Sequence, residues 1–323
     1  MNARTSSQST PKSGSGVQAP TDTSRRGFLK AGAVLTALTV GGKALANGGA
    51  DGASKLSPGR MGVLVDLTRC VGCRRCEWAC NDANANPHGT LEECDDQSVF
   101  ATLRRPRTDQ FCVVNATRNP KADPSPADPP IFAKVQCMHC EYPPCVSACL
   151  VGAMEKSPEG PVTYDASKCI GCRYCMMACP FERLTYEYDR RFTPRVRKCE
   201  LCVHRTREGK IPACVEICPV EALQYGKRED LLRIAHERIA AHPDRYVDRV
   251  YGETEAGGTS WLYLSARPFE QLVDVGLPRL PDKSPAERTE HIQHAIFKGA
   301  AGPLGVAALL TTLHFLTRKG GHA

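Results

Sequence analysis

Sixteen of the 18 cysteines fall into four groups of four. Cys70, Cys73, Cys76 and Cys80 are spaced C-x2-C-x2-C-x3-C. Cys137, Cys140, Cys145 and Cys149 are spaced C-x2-C-x4-C-x3-C. Cys169, Cys172, Cys175 and Cys179 repeat the first spacing and are followed by Pro180; Cys199, Cys202, Cys214 and Cys218 carry a long x11 gap and end at Pro219. Thiolate is a soft ligand that selects iron–sulfur clusters and zinc over hard cations. Three thiolates on one tight loop can all face one inorganic core. Gly72 and Gly171, set between them, let the backbone fold around that core and present N–H groups to sulfur.

The first spacing is the one that holds 4Fe–4S clusters in bacterial ferredoxins, where the fourth cysteine ligates the neighbouring cluster. Two other chemistries compete. Disulfides suit an exported protein, but x2 spacing repeated through every group is awkward for eight bridges. Zinc takes four ligands from paired C-x2-4-C knuckles, which need neither a third cysteine at x2 nor a fourth at x3. Four 4Fe–4S clusters are therefore the expected cofactors, with all sixteen grouped cysteines as ligands. Cys94 and Cys112 stand outside the groups, open to a disulfide or to free thiols.

The elements that position these residues repeat. Asp66-Leu67-Thr68-Arg69 leads into Cys70 as Asp165-Ala166-Ser167-Lys168 leads into Cys169, and each follows an extended apolar run, Met61 to Val65 and Val162 to Tyr164. Cys145-Val146-Ser147-Ala148-Cys149 is echoed by Cys214-Val215-Glu216-Ile217-Cys218. Duplication of one module explains this most simply. Lys227 to His242 has a helical stripe of Leu231, Leu232, Ile234, Ala235 and Ile239, and Ser260 to Leu264 is expected to be a strand. Asn119 to Pro130 is Pro-rich and expected to be a joining loop. His139, beside Cys140, either packs or donates to a cluster, and packing is the simpler reading.

Hydrophobic residues make up 41% of the chain and aromatics 6%, so metal binding is expected to contribute to folding. The net charge of +7 comes from 42 basic and 35 acidic residues. The basic runs, Arg104 to Arg107 and Arg190 to Lys198, are local and lack a nucleic-acid-binding motif, so no nucleic-acid partner is expected. No catalytic triad, H-E-x-x-H motif or nucleotide loop is present, which leaves one-electron transfer rather than catalysis as the chain's own chemistry.

Both ends carry signals. Ser24-Arg25-Arg26-Gly27-Phe28-Leu29-Lys30 has the form of a twin-arginine export signal, followed by an uncharged run to Gly42 and an A-x-A site at Ala44-Leu45-Ala46. Gly299 to Thr317 holds no Asp, Glu, Lys or Arg, and at about 1.5 Å per residue it could reach across a bilayer. A single transmembrane helix over 298–319 is therefore expected, with His314 inside it.

From about Arg60 to Lys319 the chain resembles the four-cluster ferredoxin-like subunits of molybdopterin oxidoreductase and membrane hydrogenase complexes. The resemblance rests on the order of the groups, the x11 gap and Lys198-Cys199-Glu200-Leu201-Cys202. Gln136-Cys137-Met138-His139-Cys140, Gly171-Cys172-Arg173-Tyr174-Cys175-Met176 and Ile292-Gln293-His294 make it most similar to the HybA-type subunit of membrane nickel–iron hydrogenase. The beta subunit of membrane formate dehydrogenase is the near rival.

The resemblance implies that the first group pairs with the fourth and the second with the third. One module would bind clusters through Cys70, Cys73, Cys76 and Cys218, and through Cys199, Cys202, Cys214 and Cys80. The other would use Cys137, Cys140, Cys145 and Cys179, then Cys169, Cys172, Cys175 and Cys149. Leu150 and Asn81 depart from the family, which often has proline after the last cysteine.

The expected architecture is α+β: two intertwined bacterial-ferredoxin-like dicluster modules with a C-terminal transmembrane helix. Its segments are a signal peptide (1–46), a first ferredoxin-like segment with an insertion (47–135), a second module (136–185) and a fourth cysteine group completing the first module (186–228). A C-terminal extension (229–297) and the membrane helix (298–319) follow. The expected function is electron transfer between a catalytic subunit, a hydrogenase by resemblance, and an integral membrane quinone-reactive subunit, at the periplasmic face of the inner membrane. A structural assembly protein that uses metal only to fold is the alternative of another class.

Overall fold

Met61–Asp66 alternates side chains between two apolar environments, as a strand buried on both faces requires. The computed structural model, which describes residues 59–119, 121 and 125–318, makes this run the central strand β1. In chain order there follow α1 (Arg75–Ala83), β2 (Val113–Ala116), β3 (Phe132–Val135), α2 (Pro144–Ser147), β4 (Met154–Lys156) and β5 (Val162–Tyr164). Then come α3 (Tyr174–Ala178), β6 (Thr185–Tyr186), β7 (Val196–Arg197), α4 (Val203–Thr206), α5 (Ala213–Glu216) and β8 (Leu223–Lys227). The chain closes with α6 (Arg228–Ala241), β9 (Trp261–Leu264) and α7 (Pro285–Arg318).

The main sheet has the order β8-β1-β9, antiparallel on one side and parallel on the other. Val63 stands opposite Tyr225 of β8 and Trp261 of β9. Val63 and Val65 face a core built around Trp261, Tyr263, Tyr251 and Leu272. Leu64, one residue out of phase, faces Leu231, Ala235 and Ile239 of α6 together with Leu262 and Leu264. The helical stripe thus buries Leu231, Ala235 and Ile239, while Leu232 and Ile234 are partly buried at its margin. Among the described residues three antiparallel pairs complete the strands: β2 with β3, β4 with β5, and β6 with β7.

This topology explains how distant cysteine groups meet. The first group follows β1 and the fourth ends just before β8, so the β1–β8 pairing carries Cys218 back to Cys70. The same device recurs on a smaller scale. Cys149 precedes β4, Cys169 follows β5, and the pairing of Met154 with Tyr164 closes the gap.

The expectation of a membrane-crossing helix over 298–319 is overturned. α7 runs for 34 residues, but among the described residues no helix is long and apolar enough to cross a membrane. The stretch lacks charge without being strongly apolar. Gly299, Ala300, Ala301, Gly302, Pro303 and Gly305 bring little apolar surface, and Thr311, Thr312 and His314 are polar. The Thr311 and Thr312 hydroxyls turn back to the carbonyls of Ala307 and Ala308 at 2.6 and 2.8 Å. The expected signal peptide, 1–46, lies outside the described residues.

Candidate metal centres

The loops that carry the cysteines share one backbone solution. Gly72 and Gly171 adopt φ of 70° and 73°, and Arg74 and Arg173, just before α1 and α3, adopt φ of 55° and 61°. Two left-handed residues in close succession wind the chain around the space where the thiols point. Neither glycine has room for a side chain: a Cβ on Gly72 would meet the Phe132 ring at 2.5 Å, and one on Gly171 the Tyr186 hydroxyl at 2.7 Å. Leu201 and Cys202 take the same left-handed region in the fourth group.

Backbone amides aim at sulfur with matching register. Gly171 and Leu201 donate to the thiols two residues earlier, Cys169 at 3.4 Å and Cys199 at 3.3 Å. Ala153 and Ala222 donate to thiols four residues earlier, Cys149 at 3.1 Å and Cys218 at 3.3 Å. Such N–H···S bonds stabilise anionic sulfur and raise the potential of a cluster bound to it.

The sixteen thiols stand in four sets. Cys70 has Cys218 and Cys73 as electrostatic neighbours, and with Cys76 these four line one largely apolar cavity beside Val65, Val114 and Leu223. Cys80 neighbours Cys199, which neighbours Cys202, which in turn faces Cys214. Cys140 is surrounded by Cys179, Cys137 and Cys145. Cys175 is surrounded by Cys149, Cys169 and Cys172. The sets form a continuous series. The second touches the third where Cys199 meets Cys137, and the third approaches the fourth where Cys145 faces Cys175.

Burial pushes the thiols away from the anionic form: Cys70 rises to about 11, Cys214 to about 12 and Cys175 to about 11. Anionic sulfur at these sites therefore requires a cationic core. The first set lines a cavity, and a space enclosed by four thiols is what a cubane needs.

A further observation fits a sulfide-bearing core. His139 is fully buried with φ of 49°, and its Nδ1 accepts the Val162 N–H at 2.8 Å. Nε2 must then carry the proton, yet that buried atom has no protein partner. Burial and the charges of Lys198, Lys156 and Lys134 keep the ring neutral, with its pKa well below the ordinary value. An orphan N–H donor next to Cys140 is what an acceptor-only sulfide would satisfy. Simple packing, the reading the sequence favoured, leaves that donor unexplained.

All 18 cysteines are free thiols, Cys94 and Cys112 included. Cys112 was not among the expected site residues, and nothing in its sequence context marks it. It is fully buried in one cluster with Cys80, Cys137 and Cys199, with its Sγ 3.6 Å from the Cys76 carbonyl. A hydrogen bond with Cys80 lowers its pKa to about 7, with Lys134 acting in the same direction against burial. Lys134 was also missed. It lines the cavity of the first set and is identified only by the β2–β3 pairing that carries it inward.

A fold of small sheets winding four-thiol sets into a continuous series defines a ferredoxin-type protein that carries 4Fe–4S clusters and transfers electrons. Residues 130–228 match the family model of the 4Fe-4S dicluster domain. The chain is 36% identical to the hydrogenase-2 operon protein HybA of Escherichia coli O157:H7, over 92% of this chain and 97% of that one. It is 31% identical to the iron-sulfur subunit of the nitrate-inducible formate dehydrogenase of Escherichia coli K12, over 77% of this chain and 80% of that one. A protein of Nitratidesulfovibrio vulgaris is 49% identical over 76% of this chain, and the match spans 65% of that longer relative. The chain belongs to the family of iron–sulfur electron-transfer subunits that includes HybA and the formate dehydrogenase iron-sulfur subunits.

Proposed function

We propose that the chain relays electrons between the catalytic subunits of a hydrogenase and a quinone-reactive membrane partner, on the periplasmic side of the inner membrane. The observation that carries this reading is the grouping of sixteen thiols into four sets, with Cys199 beside Cys137 and Cys145 near Cys175. The proposed ligands are Cys70, Cys73, Cys76, Cys218; Cys80, Cys199, Cys202, Cys214; Cys137, Cys140, Cys145, Cys179; and Cys149, Cys169, Cys172, Cys175, an assignment supported by the four thiol sets. Bound there, 4Fe–4S clusters supply reversible one-electron chemistry. The chain's own residues hold the clusters, exclude water and set the local charge.

Full-length similarity to HybA supports the hydrogenase partner. The Ser24-Arg25-Arg26 leader motif supports export by the twin-arginine route. Exposed apolar residues crowd the last set: Leu150, Ile170, Tyr174 and Met177, the last 86% exposed, follow or separate its cysteines. Exposed apolar side chains around a cluster set support a protein partner at that end.

The runner-up is a formate dehydrogenase complex, supported by the 31% identity to that subunit. The chain purified with its native partners should reduce quinone with hydrogen as donor. Formate-dependent reduction without hydrogen-dependent reduction would transfer the assignment to the runner-up. Zinc with no acid-labile sulfide would move it to a structural metal protein.

A further inference from the structure

Lys134 sits in β3 with 3% of its surface exposed, deep between the two thiol sets that pair the first and fourth cysteine groups. Its ammonium donates to Gln136 Oε1 at 3.1 Å and lies 4.7 Å from the centre of the Trp261 ring. Gln136 is itself held by the Tyr263 hydroxyl at 2.7 Å, and that hydroxyl donates to the Lys134 carbonyl at 2.9 Å. The ammonium is thus held by an amide oxygen and an aromatic face. The nearby carboxylate, Glu77, is neutralised by its own guanidinium, that of Arg104.

Lys134 lines the cavity of the Cys70 set, and it lies within electrostatic reach of Cys80, Cys199, Cys202 and Cys214 of the other set. A cluster held by four thiolates is a net anion, and an anion beside a buried lysine favours its protonated form. In the second module other cations take this place: Lys156 acts on Cys140 and Lys198 on Cys145, while the leading influences on Cys175 are other thiols and a backbone amide.

We propose that Lys134 is a buried cation that raises the reduction potentials of both clusters of the first module, and of that module selectively. Reduction adds one electron and one negative charge to a cluster. In low-dielectric surroundings a fixed positive charge nearby stabilises the reduced form over the oxidised one. No proton need accompany the electron, because the ammonium is already protonated. Lys134 is a positioning residue: it acts on the clusters through space and ligates no metal.

The proposal rests on the cluster assignment above, and the two can fail separately. Wild type, Lys134→Met, Lys134→Gln and Lys134→Arg, each as the full chain, would be assayed for iron and acid-labile sulfide and then titrated with an electrode and mediators under EPR. In the Met and Gln variants two of the four midpoints should fall. The fall should reach at least a tenfold change in the oxidised-to-reduced ratio at fixed potential, about 59 mV for a one-electron couple. The other two midpoints should stay, and Arg should restore the wild-type pattern.

Unmoved midpoints at full iron and sulfide content would overturn the proposal. So would four midpoints falling together, or an Arg variant that behaves like Met. Neutral variants that cannot load the first-module clusters would also overturn it, since Lys134 would then be structural. Wild-type protein without labile sulfide would instead overturn the cluster assignment itself.

Discussion

Glu77 and Arg104 meet through two near-parallel hydrogen bonds, Nη2 to Oε1 at 2.6 Å and Nη1 to Oε2 at 3.0 Å, one residue beyond Cys76. The same carboxylate accepts the Val114 N–H at 2.5 Å and the Gln110 amide at 2.9 Å, while Arg104 also reaches the Val114 carbonyl at 2.7 Å. The helix that presents Cys76 and Cys80 is thereby tied to the insertion between the first two groups. Arg104→Ala leaves a buried carboxylate uncompensated, which costs about 3 kcal/mol. The visible absorbance of the clusters should bleach at a clearly lower temperature in this variant than in Arg105→Ala, whose Glu182 partner is exposed. Equal bleaching temperatures would mean that the insertion does not brace the helix.

Gly72 and Gly171 are under two constraints at once, a left-handed φ and a close neighbour. Gly72→Ala adds about 1–2 kcal/mol of backbone strain and drives Cβ into the Phe132 ring, whose neighbours Phe100, Val114 and Ala116 hold it in place. Gly171→Ala meets only the tip of Tyr186, which is half-buried. The Gly72 substitution should therefore cost more cluster occupancy than the Gly171 substitution. Iron and sulfide analysis of the two variants compares them directly, and the reverse ranking would count against this packing account.

Much of this was legible because ligand spacing is local. The x2 steps, the glycines between them and the Asp66/Asp165 echo all lie within a dozen residues, and the strands β1, β5 and β9 fall where apolar runs placed them. Cys112 and Lys134 were illegible for the opposite reason. Each gains its meaning from long-range pairing, β2 with β3 and both against the first module, and neither has a spacing signature. His139 was half legible: adjacency to Cys140 raised the question, and only the orphaned Nε2 bears on the answer. The membrane helix failed because charge, which is easy to count, stood in for apolar area, which Ala, Gly and Thr do not supply.

The raised thiol pKa values fix the direction in which cluster loading responds to pH. Burial lifts Cys70 from an ordinary 9.0 to about 11 and Cys214 to about 12, so the metal-free fold prefers protonated sulfur. That preference stabilises the metal-free fold below about pH 9 and is lost as pH climbs through the raised values. Iron binding runs the other way, since every ligand must shed a proton before it binds. Reconstitution at fixed iron and sulfide should rise steeply from about pH 6 to about pH 9, and acidification should release iron from the loaded protein. A flat profile would show that the ligands are already thiolates in the empty fold.

The β1–β8 pairing places Cys218 with Cys70, Cys73 and Cys76 rather than with Cys214, its neighbour in sequence. Cys80 departs from its own group in the same manner, standing by Cys199. Ligand substitutions should therefore sort by space and not by spacing. Cys70→Ser and Cys218→Ser should abolish or alter one and the same EPR signal and lower iron by up to a quarter. Cys80→Ser and Cys214→Ser should both affect a second, different signal. Serine is close to cysteine in size, so the fold around each site is disturbed little beyond the lost sulfur. If Cys218→Ser matched Cys214→Ser instead, each cluster would be held by a single contiguous group, and the strand pairing would have no part in building the centres.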